Sequence, residues 1–213
     1  MALAAPPPAL VHVLGRSVEG RPIVAVERGD PAAPRKVLVV GAIHGTETAG
    51  IPVVARLRQL RVPAGVDLWL VRTVNPDGVA DGTRGNAHGI DLNRNFPYDW
   101  QPLDGVYESG PHALSEPETR AVVRLVRRLR PQLTIWFHQH MDLVELTGAD
   151  RGLVRRFARL AGLEARPLGH YAGSGIGWQN TTVAGSTAFA VELPAGRLRT
   201  VDRVARAVLA VAR

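Results

Sequence analysis

Six residues spread over most of the 213-residue chain have the types that a metal-assisted hydrolytic site requires: His44, Glu47, Arg84, Asn93, Arg94 and Glu192. His44 and Glu47 stand three apart in Gly-Ala-Ile-His-Gly-Thr-Glu, where a continuous apolar run reads as a buried strand giving way to a helix. Imidazole nitrogen and carboxylate oxygen placed this way converge on one ion, and a nitrogen–oxygen donor set suits Zn2+. Alone, the pair is equally the pattern of an exposed histidine and a glutamate favoured by a helix N-terminus. A catalytic zinc needs a third protein ligand and an open position for water. His138 and His140, in Trp-Phe-His-Gln-His, both offer that ligand. They close an apolar segment, and strand ends in α/β sheets are where sites gather. Alternation puts both on one side if the strand continues.

Glu192 interrupts Ala-Phe-Ala-Val-Glu-Leu. Its face of a strand presents alanines, whereas the opposite face presents Phe189, Val191 and Leu193. A buried carboxylate without a partner is costly. One that faces an activated water can take the water's proton and deliver it to a leaving amine. Arg84, Asn93 and Arg94 lie in Arg-Gly-Asn-Ala-His-Gly-Ile-Asp-Leu-Asn-Arg-Asn-Phe-Pro. A guanidinium grips a carboxylate bidentately and an asparagine amide donates to its second oxygen. An arginine beside the ion also steadies the oxyanion formed as water attacks.

The elements that must position these residues are legible from periodicity. Strands are expected over residues 11–14, 22–26, 36–43, 67–74, 132–137 and 188–193. A helix from about Thr48 carries Ile51, Val54, Leu57 and Leu60 on one face. Asn75-Pro76-Asp77-Gly78 reads as a turn, with proline fixing one φ and glycine permitting a positive one. Residues 79–114 have little periodicity, which in a compact domain points to function. Ser115 is the expected N-cap of the next helix, with Glu118 completing a capping box. Further helices are expected over residues 151–162 and 201–212. Alternating strands and helices predict a single α/β domain with a mixed, mostly parallel twisted sheet covered on both faces. Residues 1–9, rich in proline, read as a flexible lead-in, and residues 10–213 as the catalytic domain.

Composition narrows the rest. With 46% hydrophobic and 21% charged residues, the chain buries a sizeable core. The net charge is +7 and all but one of the basic residues are arginine, but they are dispersed along helical faces. Dispersed charge is a solvated surface and not a nucleic-acid footprint. No cysteine is present, so thiolate ligands and disulfides are excluded. No apolar run reaches membrane-spanning length. The first residues lack the pattern of an intact signal peptide, which leads to a cytoplasmic expectation, or a secreted or envelope one if a signal was trimmed.

With these motifs in order, the sequence resembles the carboxypeptidase A-like zinc carboxypeptidase family from about Gly15 to Gly196. The resemblance rests on Gly-x-x-His-Gly-x-Glu, Asn-Pro-Asp-Gly, Arg-x-Asn-x-x-Gly-x-Asp-Leu-Asn-Arg-Asn-Phe-Pro, Ser-Glu-Pro-Glu-Thr and Val-Glu-Leu-Pro. The compact length and Gly-Ser-Gly-Ile-Gly-Trp-Gln-Asn are most like the small bacterial branch, which includes the murein tripeptide amidases. The resemblance implies one Zn2+ per chain held by His44, Glu47 and His138, with His140 beside the pocket. It implies Arg84 as electrophile, Asn93 and Arg94 as the clamp on a terminal carboxylate, and Glu192 as general base and acid. Tyr171, upstream of Gly-Ser-Gly-Ile-Gly-Trp, becomes a substrate contact, although its spacing to Trp178 is short for the family. The Gly173–Asn180 stretch has no central acidic residue to select a basic side chain, which favours a polar or diaminopimelate-like end group. The implied substrate is a peptide with a free C-terminal carboxylate, cut at a peptide or isopeptide bond. The alternatives are an N-acyl amino acid deacylase of the aspartoacylase type, and a non-catalytic peptide-binding module on the same scaffold. Val-Glu-Leu-Pro, Asn-Pro-Asp-Gly and Ser-Glu-Pro-Glu-Thr favour the peptidase over the deacylase.

Overall fold

Eight strands form one sheet in the order β1-β2-β4-β3-β5-β8-β6-β7 in this computed structural model, which describes residues 9–213. Residues 1–8 of the expected lead-in lie outside the described residues. The strands are β1 (Leu10–Arg16), β2 (Pro22–Gly29), β3 (Arg35–Val40), β4 (Val66–Val71), β5 (Leu133–Gln139), β6 (Leu143–Glu145), β7 (Glu164–Arg166) and β8 (Thr187–Leu193). The centre, β4-β3-β5-β8, is parallel throughout. Antiparallel pairs join β1 to β2, β2 to β4, and β6 to β8.

Two apolar layers hold helices to the sheet, as expected for strands buried on both faces. One layer joins Val37, Val39, Ile135, Phe137, Phe189 and Val191 to α1 (Gly50–Leu57), α4 (Arg151–Ala161) and α6 (Val201–Val211). The other joins Leu38, Val40, Trp136, Ala188 and Ala190 to α3 (Pro117–Leu129) and α5 (Gly175–Thr182). The alternation read in β8 is borne out: Phe189, Val191 and Leu193 face the first layer, while Ala188 and Ala190 face the second. No helix among the described residues is long and apolar enough to cross a membrane.

Two local expectations are corrected, and one helix is found where periodicity gave no element. Asn75-Pro76-Asp77-Gly78 starts a helix, α2 (Pro76–Asp81), and is not a free turn. Pro76 suits the first helical turn, where no N–H is needed, and Asn75 caps it by accepting from Gly78 N–H at 2.9 Å. Ser115 is not the cap of α3, whose N-cap position is Glu116. The Ser115 hydroxyl is already committed, accepting from Asn95 and donating to Glu116, both at 2.8 Å. Glu118 turns back across the fold to accept from Val18 N–H at 3.0 Å. The stretch around Gly175 and Trp178, given no element from periodicity, forms α5, capped by Ser174.

The loop carrying His44 is pressed against α2. A Cβ on Gly45 would lie 2.0 Å from the carbonyl carbon of Gly78 and 2.4 Å from the oxygen of Thr83. Backbone meets backbone there, so no flexible side chain can give way. Gly45→Ala is therefore expected to cost at least about 1–3 kcal/mol as overpacking. The check is a lower denaturant midpoint at constant m-value; an unchanged midpoint would show that the two loops part freely.

Candidate metal centre

Three strands of the parallel centre deliver the site at their carboxyl ends. Strand order reverses at β3, with β4 on one side and β5 on the other, and such switch points leave a crevice beyond the strand ends. His44 and Glu47 sit in the loop after β3, His138 near the end of β5, and Glu192 near the end of β8. β5 and β8 are in register so that His138 pairs directly with Glu192.

His44, Glu47 and His138 are all buried, and one donor atom from each lies within 4.8 Å of the others. Nδ1 of His44 is 2.9 Å from Oε1 of Glu47, and Nδ1 of His138 is 2.9 Å from Oε2. The first pair has ion-pair distance without hydrogen-bond alignment, so the buried Nδ1 of His44 has no hydrogen-bond partner among the described residues. Its other nitrogen is held by Asp91 Oδ1 at 3.0 Å. An orphaned ring nitrogen aimed at two further donors, with a carboxylate behind the ring, is the arrangement of a metal-ligating histidine. Nitrogen and oxygen donors without sulfur fit zinc. His140 lies past the strand end, exposed on the cavity wall and outside this cluster.

Carboxylates and arginines brace the cluster. Burial opposes ionisation of Glu47, but the hydrogen bond with His138 and the charge interaction with His44 hold its carboxyl well below the usual range. Asp91 is lowered to about 2 against the penalty of burial, chiefly by His44 and then by the charges of Arg84 and Arg94. Arg84 bridges the two acids, with Nη1 2.9 Å from Glu47 and Nη2 2.9 Å from Asp91. Asp91 also accepts from the backbone of Asn93 at 2.8 Å, which caps the short 3-10 turn Leu92–Arg94. Asn93 Oδ1 accepts from Gly175 N–H at 3.0 Å, so the side-chain NH2 is its remaining donor group. The Arg94 guanidinium lies over the rings of Tyr171 and Tyr107, at 5.2 and 5.3 Å from their centroids.

Glu192 faces the same space. Burial pushes its carboxyl upward; His138 and His44 oppose this and Glu47 adds to it. Its Oε2 is buried without a hydrogen-bond partner among the described residues. All the residues singled out from the sequence, Tyr171 included, line one cavity of about 420 Å3. A larger open groove of about 1330 Å3, between residues 60–66 and α6, contains none of them.

Tyr107 and Glu145 are among the wall residues that the sequence reading did not single out. Tyr107 stacks on Arg84 as well as Arg94, at 5.4 Å from Arg84; its only signal is an aromatic inside the long irregular segment. Glu145, on the three-residue strand β6, gave no signal at all. Its carboxyl is pushed up to about 7, by burial first and then by the charge of Glu192, against a hydrogen bond from the Ala190 backbone.

A parallel-centred α/β sheet with a buried His-Glu-His cluster at its carboxyl edge defines a metal-dependent hydrolase of the carboxypeptidase kind. The chain belongs to the zinc carboxypeptidase family, a family of peptide-bond hydrolases, whose profile matches residues 1–149. It is 34% identical to murein peptide amidase A of Escherichia coli strain K12 over 154 residues, covering 65% of this chain and 62% of that protein. The match thus spans less than two thirds of that relative's length. It is 33% identical to carboxypeptidase D of Drosophila melanogaster over 156 residues, 58% of this chain and 11% of that protein. The structure of murein-tripeptide amidase from Escherichia coli O157 superimposes with a TM-score of 0.76 at 26% identity, covering 98% of this chain and 92% of that one. Carboxypeptidase A from Helicoverpa armigera shares the fold, with a TM-score of 0.79 at 19% identity over 95% of this chain and 69% of that one. The family match ends before β8, so Glu192 is identified by its place in the sheet.

Proposed function

We propose that this protein is a zinc carboxypeptidase that hydrolyses the peptide or isopeptide bond before a C-terminal residue, acting on murein peptides at the γ-D-glutamyl-diaminopimelate bond. The observation that carries the reading is the register of β5 and β8, which sets an unpartnered carboxylate oxygen of Glu192 beside His138. The likeness to the murein amidases supports the substrate.

One zinc ion per chain would be held by His44, Glu47 and His138, and when bound it would supply Lewis acidity to the scissile carbonyl and lower the pKa of the attacking water. Glu192 takes the water's proton and returns it to the departing amine. Arg84, locked between Glu47 and Asp91, directs positive charge at the oxygen that becomes negative. Arg94 and the Asn93 amide hold the free carboxylate of the departing residue and set its orientation. Tyr171 packs over Arg94 and contacts the substrate at that end of the cavity.

The test is a peptide with a free terminal carboxylate against the same peptide amidated. The wild type strongly prefers the acid. Arg94→Ala loses most of that preference and about 1.5–3 kcal/mol in kcat/KM, the worth of a charge-assisted hydrogen bond. Equal wild-type turnover of acid and amide rules out a carboxypeptidase.

A further inference from the structure

β5 ends on Gln139, the residue after His138, and its ladder with β8 closes there, with Gln139 opposite Leu193. Pro194 follows β8 and has no N–H to carry the ladder on. The Gln139 side chain takes over from the backbone. Its Nε2 donates to the carbonyl oxygens of Pro194 at 2.9 Å and Gly196 at 3.1 Å, so both amide hydrogens are spent on the loop that follows Glu192. Its Oε1 accepts from the N–H of Ala49 at 2.9 Å. Carbonyls on one side and an N–H on the other leave one orientation for the amide.

Ala49 occupies the N-cap position of α1 and has no side chain that can cap it. Gln139 supplies from β5 an acceptor that this helix start lacks. The backbone N–H of Gln139 also donates to Oε2 of Glu47 at 3.2 Å. The start of α1 lies hard on β5, since a Cβ on Gly50 would stand 2.3 Å from Cβ of Phe137. One half-buried residue thus joins the loop that carries Glu47, the strand that carries His138 and the loop that follows Glu192. An amide satisfied at both ends fixes the groups it bonds. Asn93 and Arg94 are held differently, by Asp91 and Gly175.

Resting on the carboxypeptidase reading above, we propose that Gln139 is a positioning residue that sets the gap between the metal donors and Glu192. It acts through the Glu47 loop and the loop after β8, which it ties to one amide, and it carries no proton itself.

Gln139→Met keeps the length of the side chain and removes its three hydrogen bonds. At saturating zinc, kcat on a peptide with a free terminal carboxylate is expected to fall about 10–100-fold, the scale on which a small misplacement acts. KM should stay within about twofold, because Asn93 and Arg94 keep their own supports. With zinc alone, competition against a chromophoric chelator should show an affinity about tenfold lower, as for other supporting partners of a metal site. Added to Glu192→Gln, the same substitution should lower the residual single-turnover rate by about twofold at most, since a base that is absent cannot be misplaced. A residue that merely holds the fold together would cost the same factor in both backgrounds. Gln139→Asn, one carbon too short to reach both loops, should show smaller losses in the same pattern and carries the test if the methionine variant does not fold. Unchanged kcat and zinc affinity, a raised KM at constant kcat, or losses that multiply fully with Glu192→Gln overturn the proposal and leave the carboxypeptidase reading standing. If the wild type cleaves no free-acid peptide, the carboxypeptidase reading fails. Zinc affinity then decides the role of Gln139 by itself, and an unchanged value overturns it.

Discussion

Glu192→Gln is expected to lower kcat by about 10²–10⁴-fold, the range that a positioned general acid–base supplies. β8 lies between β5 and β6, so Glu192 is on an interior strand where a carboxylate has no structural reason to sit. Its neighbours on that face are alanines, and Oε2 has no hydrogen-bond partner. Glutamine has nearly the same shape but cannot carry the proton. Metal content should stay at the wild-type level, because the substitution touches none of the three donors. The unfolding midpoint should hold or rise slightly, since the variant no longer buries an unpaired carboxylate. Single-turnover kinetics, metal analysis and thermal unfolding on one preparation check all three. A variant that keeps most of its kcat removes Glu192 from the mechanism.

His138→Ala should reduce zinc affinity by more than about 100-fold, beyond the 10–100-fold that supporting partners of a metal site contribute. His140→Ala should leave zinc binding near wild type. The two histidines are adjacent in type and spacing, and only the fold separates them. β5 ends at Gln139, so the alternation that would align both side chains stops before His140. His138 is buried against Glu47; His140 is exposed beyond the strand end. Competition with a chromophoric chelator measures both affinities. Loss of zinc from the His140 variant with retention in the His138 variant would exchange their roles.

The site was legible wherever chemistry demands rare residue types at fixed places. His44 and Glu47 could be picked out as candidate metal donors by type and spacing, and Glu192 because a charge amid apolar alternation is conspicuous, whereas the residues alone left His138 and His140 open and only the family resemblance chose between them. The buried strands β3, β4, β5 and β8 read directly from continuous apolar runs. Other features depend on contacts that no local pattern encodes. Ser115 has the signature of a cap, but Asn95, 20 residues away in the chain, claims its hydroxyl. Gly175–Thr182 mixes glycine, threonine and one tryptophan without a face, so its helix is fixed by the Ser174 cap and by packing of Trp178 on Phe96. β6 is too short for any period to show, and Glu145 enters the site only through pairing with β8. The strand order itself, which brings residues 47, 138 and 192 together, is a property of the whole sheet.

That β6 meets the sheet antiparallel through a three-residue strand also separates two evolutionary demands. On the proposed reading, the metal donors and the base are carried by the loop after β3 and by β5 and β8 of the parallel centre, where every strand is tied on both sides. The part of the cavity wall that includes Glu145 hangs from a short flanking ribbon. On the proposed reading, changes in residues 143–151 would reshape that wall while the parallel centre keeps its geometry, so one scaffold could change what its cavity admits without rebuilding its chemistry.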